Sequence, residues 1–179
     1  MLLDILKGAL AGAAGTTALD AVTYLDMAGR GRPASGTPSE TVERLAEKAG
    51  VGIPGEGEQR KNRVSGVGAL LGIATGVAMG AAYGALRGAG LRPPVLVGAG
   101  LVAAVTMAGT NAPMVGLGIS DPRTWSSTDW LSDVVPHAVY GLVTAGACAL
   151  FDGERPGRRA ACGAQRAGCG ARRAVRRRG

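Results

Sequence analysis

The sequence predicts an all-α membrane protein: a bundle of four transmembrane helices with one short amphipathic helix in a loop. Three observations carry that expectation. The 179 residues are 46% hydrophobic but only 3% aromatic, so the apolar content is Ala, Val and Leu in long runs rather than the large side chains that fill an ordinary soluble core. Uncharged stretches recur that are long enough to cross a hydrocarbon layer of about 30 Å, the clearest being the 23 residues from Val64 to Leu86. Along that stretch Gly68, Gly72, Gly76, Gly80, Gly84 and Gly88 stand at every fourth position. Glycine costs a water-exposed helix roughly 1 kcal/mol relative to alanine. Lipid gives two helices no hydrophobic reason to associate, so small residues that let backbones approach become the adhesive. The six glycines are therefore expected to be helix-packing positions.

In chain order, the first span is expected at about 3–26. A cleaved signal peptide is disfavoured, because the stretch is rich in Gly and Ala rather than Leu and further membrane segments follow. Gly8, Gly12, Thr16 and Asp20 repeat at i+4, a small-residue face suited to the glycine stripe that would turn the Asp20 carboxylate inward. Residues 28–63 read as an extramembranous loop. Within it, Thr37-Pro38-Ser39-Glu40 combines a capping threonine, a proline at the first helical position and a glutamate at the third. A helix over about 38–49 should follow, ended by Gly50, with Val42, Leu45 and Ala49 on one side. It is expected to lie on the membrane or the bundle; docking a partner is the minor alternative. Residues 55–59 read as linker.

The second span is 64–86. Residues 87–92 allow only a tight turn, which predicts that the second and third spans are antiparallel neighbours. The uncharged run 93–120 has 28 residues, roughly 42 Å as helix, and should break at Asn111-Ala112-Pro113, placing the third span at about 94–112. Trp125 and Trp130 in the next loop suit the headgroup level. The fourth span is expected at 133–151, with Asp133 as N-cap and Pro136 in the first turn. Residues 153–179 lack apolar periodicity and read as a disordered Arg-rich tail.

The net charge of +7 comes largely from nine arginines in the last 25 residues, with no interleaved aromatics, so no nucleic-acid partner is expected. Three cysteines exclude a fully paired disulfide framework. The positive-inside rule favours both termini in the cytoplasm only when the tail counts: that side then holds 12 of the 20 Lys and Arg.

No nucleophile elbow, phosphate-binding glycine loop or metal-ligand cluster is recognisable, and no cofactor is expected. Asp129, Asp133 and His137 would share a face as metal ligands on one continuous helix, but capping and the helix dipole explain the carboxylates, and no metal is expected. Chain direction through four antiparallel spans puts Asp20, Asn111, Asp133 and His137 at similar depth. They form the candidate polar cluster, with Asp20 and His137 expected to pair directly, through Asn111 or through water.

Pro113-Met114-Val115-Gly116-Leu117, then a Trp-containing loop and Asp133-Val134-Val135-Pro136-His137, resembles the C-terminal half of the YagU-like family of uncharacterised bacterial inner-membrane proteins. The resemblance covers about 30 residues. It implies a bacterial cytoplasmic-membrane location and supplies no catalytic residues. The glycine stripe, the loop helix and the tail do not map onto it. The function expected is structural or accessory rather than enzymatic, with the lipid bilayer and a second copy or a membrane-protein partner engaged through small-residue faces. The alternative is a proton-coupled or small-solute transporter or channel using Asp20 and His137.

Overall fold

The computed structural model describes residues 1–153. They form five α-helices: α1 (Leu2–Arg30), α2 (Thr37–Lys48), α3 (Gly57–Gly88), α4 (Val95–Gly116) and α5 (Ser127–Gly153), with a 3-10 turn at Pro122–Thr124. All but α2 are long and apolar enough to cross a membrane. The fold is an all-α membrane bundle. Its large apolar side chains face outward, as Leu10, Leu70, Leu96 and Leu150 from the four long helices show, while the interior is made of small ones such as Ala11 and Ala145. A layer of lipid satisfies that arrangement; water would not. The tail expected to be disordered lies, from residue 154 on, outside the described residues.

The packing is organised around α1, which lies against both α3 and α5, while α4 packs on α5 and α2 on α3. Helices α3 and α4 follow each other across a short turn yet touch little, which corrects the expectation that they are close neighbours. Their bridging contacts are Tyr83 against Gly98 and Met79 against Gly109. The reason is competition for the glycine face of α3. The two glycines of α1 bring a whole backbone against it, and no other helix comes as near.

That face is an antiparallel backbone contact. A Cβ on Gly80 would stand 2.5 Å from Gly12 Cα, and one on Gly8 would stand 2.7 Å from Gly84 Cα. Gly76 meets the Thr16 side chain, Gly84 the Asp4 carbonyl and Gly88 the Asp4 side chain at 3.1 Å. Gly68 instead lies under Pro38 at the start of α2. Only Gly72 of the six faces open space. There α1 and α3 have already diverged, and Asp20, one turn past Thr16, does not enter the contact.

Helix α1 continues to Arg30, into the expected loop 28–63, and helix boundaries depart from the sequence expectations at four further points, each for a local reason. Helix α3 starts at Gly57, so part of the expected linker and the charged residues Arg60, Lys61 and Arg63 belong to it; an uncharged run marks the apolar layer, not the helix. Helix α2 starts at Thr37 with Gly36 as N-cap, and the Thr37–Glu40 capping box is not formed. The Thr37 hydroxyl pairs with Ser35 Oγ at 2.8 Å instead. Helix α4 runs through Pro113, because the ring removes one donor while its carbonyl still accepts from Leu117 N at 2.9 Å. The stop comes at Gly118, whose φ of +70 lets Gly118 N reach Val115 O and Ile119 N reach Met114 O. Gly50 ends α2 in the same way.

Finally, α5 begins at Ser127, six residues before Asp133, which is therefore not its cap. Ser126 and Asp129 cap the helix reciprocally: Asp129 N donates to Ser126 Oγ at 3.2 Å and Ser126 N to Asp129 Oδ2 at 2.9 Å. Pro136 thereby becomes an interior, buried residue.

Gly80→Leu should force α1 and α3 apart and lower stability in detergent by about 3 kcal/mol or more, at the upper end of overpacking costs because the obstruction is backbone. Gly72→Leu, facing open space, should leave the melting temperature close to wild type. Equal melting of the two variants would contradict the packing described.

Candidate functional site

Helices α1, α4 and α5 bring the expected polar residues to one end of the bundle. Asn111 Nδ2 on α4 donates to Asp133 Oδ2 on α5 at 2.8 Å. His137 Nδ1 lies 2.8 Å from the Asp133 carbonyl and 3.3 Å from Asp133 Oδ1. Both of those groups are acceptors, so Nδ1 carries the proton and Nε2 is the nitrogen left to gain one. The three residues form a bridge between helices with a protonatable ring at its inner end.

Asp20 is not part of it. It is half-buried on α1 and makes no hydrogen bond or ion pair with His137 or Asn111. No direct Asp20–His137 pair forms; His137 instead makes an i, i+4 pair with Asp133 on α5. The cause is the earlier start of that helix: as an interior residue, Asp133 keeps its carboxylate for the next turn instead of spending it on backbone amides. Asp129, two turns before His137, is occupied by Ser126. Among the described residues no three His, Cys, Asp or Glu side chains gather as a metal site.

The same end is tied to α1 by a second network. Arg30 pairs with Asp26 and donates to Ser132 Oγ on α5 at 2.6 Å, and Arg32 Nε reaches Asp26 Oδ2 at 2.6 Å. Two open depressions flank this end. One, of about 480 Å³, is lined by Glu40, Glu43, Arg44 and Glu47 of α2, Arg60 of α3, Gly118 and Ile119; the other, of about 550 Å³, follows residues 115 and 118–123.

Midway through the bundle the polar groups are internal braces. Tyr140, 1% exposed, donates its hydroxyl to the Gly76 carbonyl at 2.6 Å. Thr144 Oγ1 lies 3.5 Å from the Ala11 carbonyl. Both carbonyls are reachable because the facing positions are glycine or alanine.

The opposite end holds a cluster that the sequence did not disclose. Arg87 Nη2 donates to Asp152 Oδ2 at 2.8 Å with side chains only 9% and 13% exposed, and Nη1 donates to the Tyr83 hydroxyl at 3.1 Å. The guanidinium lies 5.5 Å from the Tyr83 ring centre, within cation–π range. Read along the chain, Arg87 belongs to a turn and Asp152 to the junction between the last span and the tail. The one local signal was Tyr83 four residues before an arginine at the end of an apolar run; the partner 65 residues away has no local mark.

Removing one partner of a buried ion pair leaves an uncompensated charge, so Arg87→Leu should cost about 3–5 kcal/mol of stability. The double variant Arg87→Leu, Asp152→Leu should recover most of it. Additive losses in a double-mutant cycle, followed by SDS-induced unfolding, would show that the two side chains do not act as a pair.

The chain matches no family model, no curated protein and no solved structure.

Proposed function

We propose that the protein is a structural or accessory membrane component that self-associates through the outward face of α4. The observation that carries this reading is a second stripe of small residues. Gly100, Ala104, Ala108, Ala112 and Gly116 recur every fourth position along α4, and all five are exposed. The chain already shows what such a stripe does where it has a partner: the glycine face of α3 is closed by Gly8, Gly12 and Thr16 within the same molecule. It is therefore not the surface offered to a second copy. A stripe on α4 is self-complementary about a two-fold axis, the commonest symmetry of oligomers. The resemblance to YagU-like proteins supports a bacterial cytoplasmic membrane as the setting, with the termini on the cytoplasmic side.

The alternative is proton-coupled transport, and the half-buried Asp20 at the end that carries His137 is what favours it. One experiment separates the two. Labelled protein in lipid vesicles should show energy transfer between copies that Ala104→Leu, Ala108→Leu abolishes, while vesicles loaded with a pH-sensitive dye show no protein-dependent proton flux. Monomers at every lipid-to-protein ratio, or a dimer indifferent to the two leucines, would reject the α4 interface. Proton flux lost in both Asp20→Asn and His137→Ala would establish the transport reading in its place.

A further inference from the structure

We propose that the bundle end where α1 begins and α5 finishes binds the phosphate of an anionic phospholipid through Lys7 and Arg92, with Arg87 as the residue that positions them. Three cations from two stretches of chain, α1 and the 87–92 turn, converge on the last turn of α5. Lys7 Nζ donates to Phe151 O at 2.9 Å, Arg87 Nη2 donates to Asp152 Oδ2 at 2.8 Å, and Arg92 Nε lies 3.8 Å from that same carboxylate oxygen. Because Phe151 and Asp152 are consecutive, Lys7 and Arg92 flank one helix end. Arg87 fixes the arrangement from behind, since its side chain holds Asp152 and its carbonyl accepts from Arg92 Nε at 3.2 Å.

The charge there does not balance. Asp152 faces Arg87 and Arg92, and Asp4, beside Gly88, is 3.0 Å from the Met1 amine. With Lys7, and counting only side chains of the described residues, that leaves three cationic groups against two carboxylates. Donors are also left over: Arg92 commits its Nε, leaving its outer fork of N–H groups, and Lys7 commits one ammonium proton. A phosphodiester offers two unesterified oxygens and one negative charge, which match a guanidinium fork with an ammonium beside it.

Depth selects the source of the phosphate. Arg87 follows Leu86 at the end of one apolar run, Arg92 precedes the next by three residues, and Asp152 follows Phe151 at the end of the last. All three stand at the rim of the hydrocarbon layer, where lipid headgroups are. Basic pockets between transmembrane helices at that level suit anionic headgroups.

The test uses the full chain in nanodiscs of phosphatidylcholine alone or mixed with phosphatidylglycerol, reading the affinity for phosphatidylglycerol by native mass spectrometry. Each basic residue at the site contributes a factor of about five, so Lys7→Gln, Arg92→Gln should weaken binding about 25-fold. Arg172→Gln, Arg173→Gln removes the same charge from the tail and should leave the affinity near wild type. Equal losses in the two variants would reduce the effect to net charge and overturn the site. Inorganic phosphate competing away the lipid at millimolar concentration would overturn the choice of lipid as the source. Should the Gln pair fail to fold, Arg92→Lys keeps the charge but loses the fork. It should still lower affinity without altering melting in phosphatidylcholine, and unchanged affinity there would also overturn the proposal.

Discussion

The contact between the backbones of α1 and α3 is the constraint from which the rest of the bundle follows. Gly8 and Gly12 lie so close to Gly80 and Gly84 that a single added Cβ would collide with main-chain atoms. In lipid, where burial of apolar surface provides no drive for association, such proximity supplies the van der Waals contact that holds two helices together. It also makes α1 the inner helix of the set. With one side committed to α3, its other side, through Ala11 and Gly15, is left for α5, and α4 is held at the far side of α5 by Gly141 against Ala99 and Ala103.

Close backbones also decide how the polar groups are satisfied. A helical carbonyl is normally screened by the side chain of a neighbouring helix, but Gly76 leaves its carbonyl open to the Tyr140 hydroxyl, and the slim α1 face leaves the Ala11 carbonyl open to Thr144. Each brace ties α5 to a helix that precedes it by more than 60 residues in the chain. At the two ends the braces become charged. Asn111, Asp133 and His137 join α4 to α5 at one end, Arg87 and Asp152 join α3 to α5 at the other, and Lys7 brings in α1. Charges are confined to the rims, where water and headgroups lower the cost of keeping them ionised. Helix α5 takes part in every one of these links. It acts as the polar spine, and α1 as the packing centre.

The outer surface then carries what the interior does not need. Leucines and valines cover most of it, as a lipid-facing layer requires, and α4 presents the longest outward small-residue stripe, five positions against the three of Ala74, Ala78 and Ala82 on α3. With the inner glycine face closed within the chain, the outward stripe of α4 is the surface on which the proposed self-association rests, and the cationic end beside Asp152 the one on which the proposed lipid contact rests.

Read in chain order, the residues were enough for the fold class and the number of membrane-length helices. Those properties are written in runs and periods: an uncharged stretch must be about as long as the hydrocarbon layer, and glycine at every fourth position must lie along one side of a helix. The sequence also placed Asn111, Asp133 and His137 at one level, because chain direction alternates from span to span. What it left undetermined was which helix meets which, and hence which side chains pair. Consecutive helices α3 and α4 barely touch, since α1 reaches the glycine face more closely than any neighbour in sequence can. Asp20 and His137 make no direct pair, and a serine and an aspartate at 126 and 129 start α5 early enough to give His137 a partner on its own helix. Arg87 and Asp152, each unremarkable where it stands in the chain, form a buried pair only once α1 has drawn α3 and α5 to the same end. Periodicity fixes a face of a helix, but a pair between distant residues exists only after packing has chosen the neighbours, and that choice belongs to the tertiary structure.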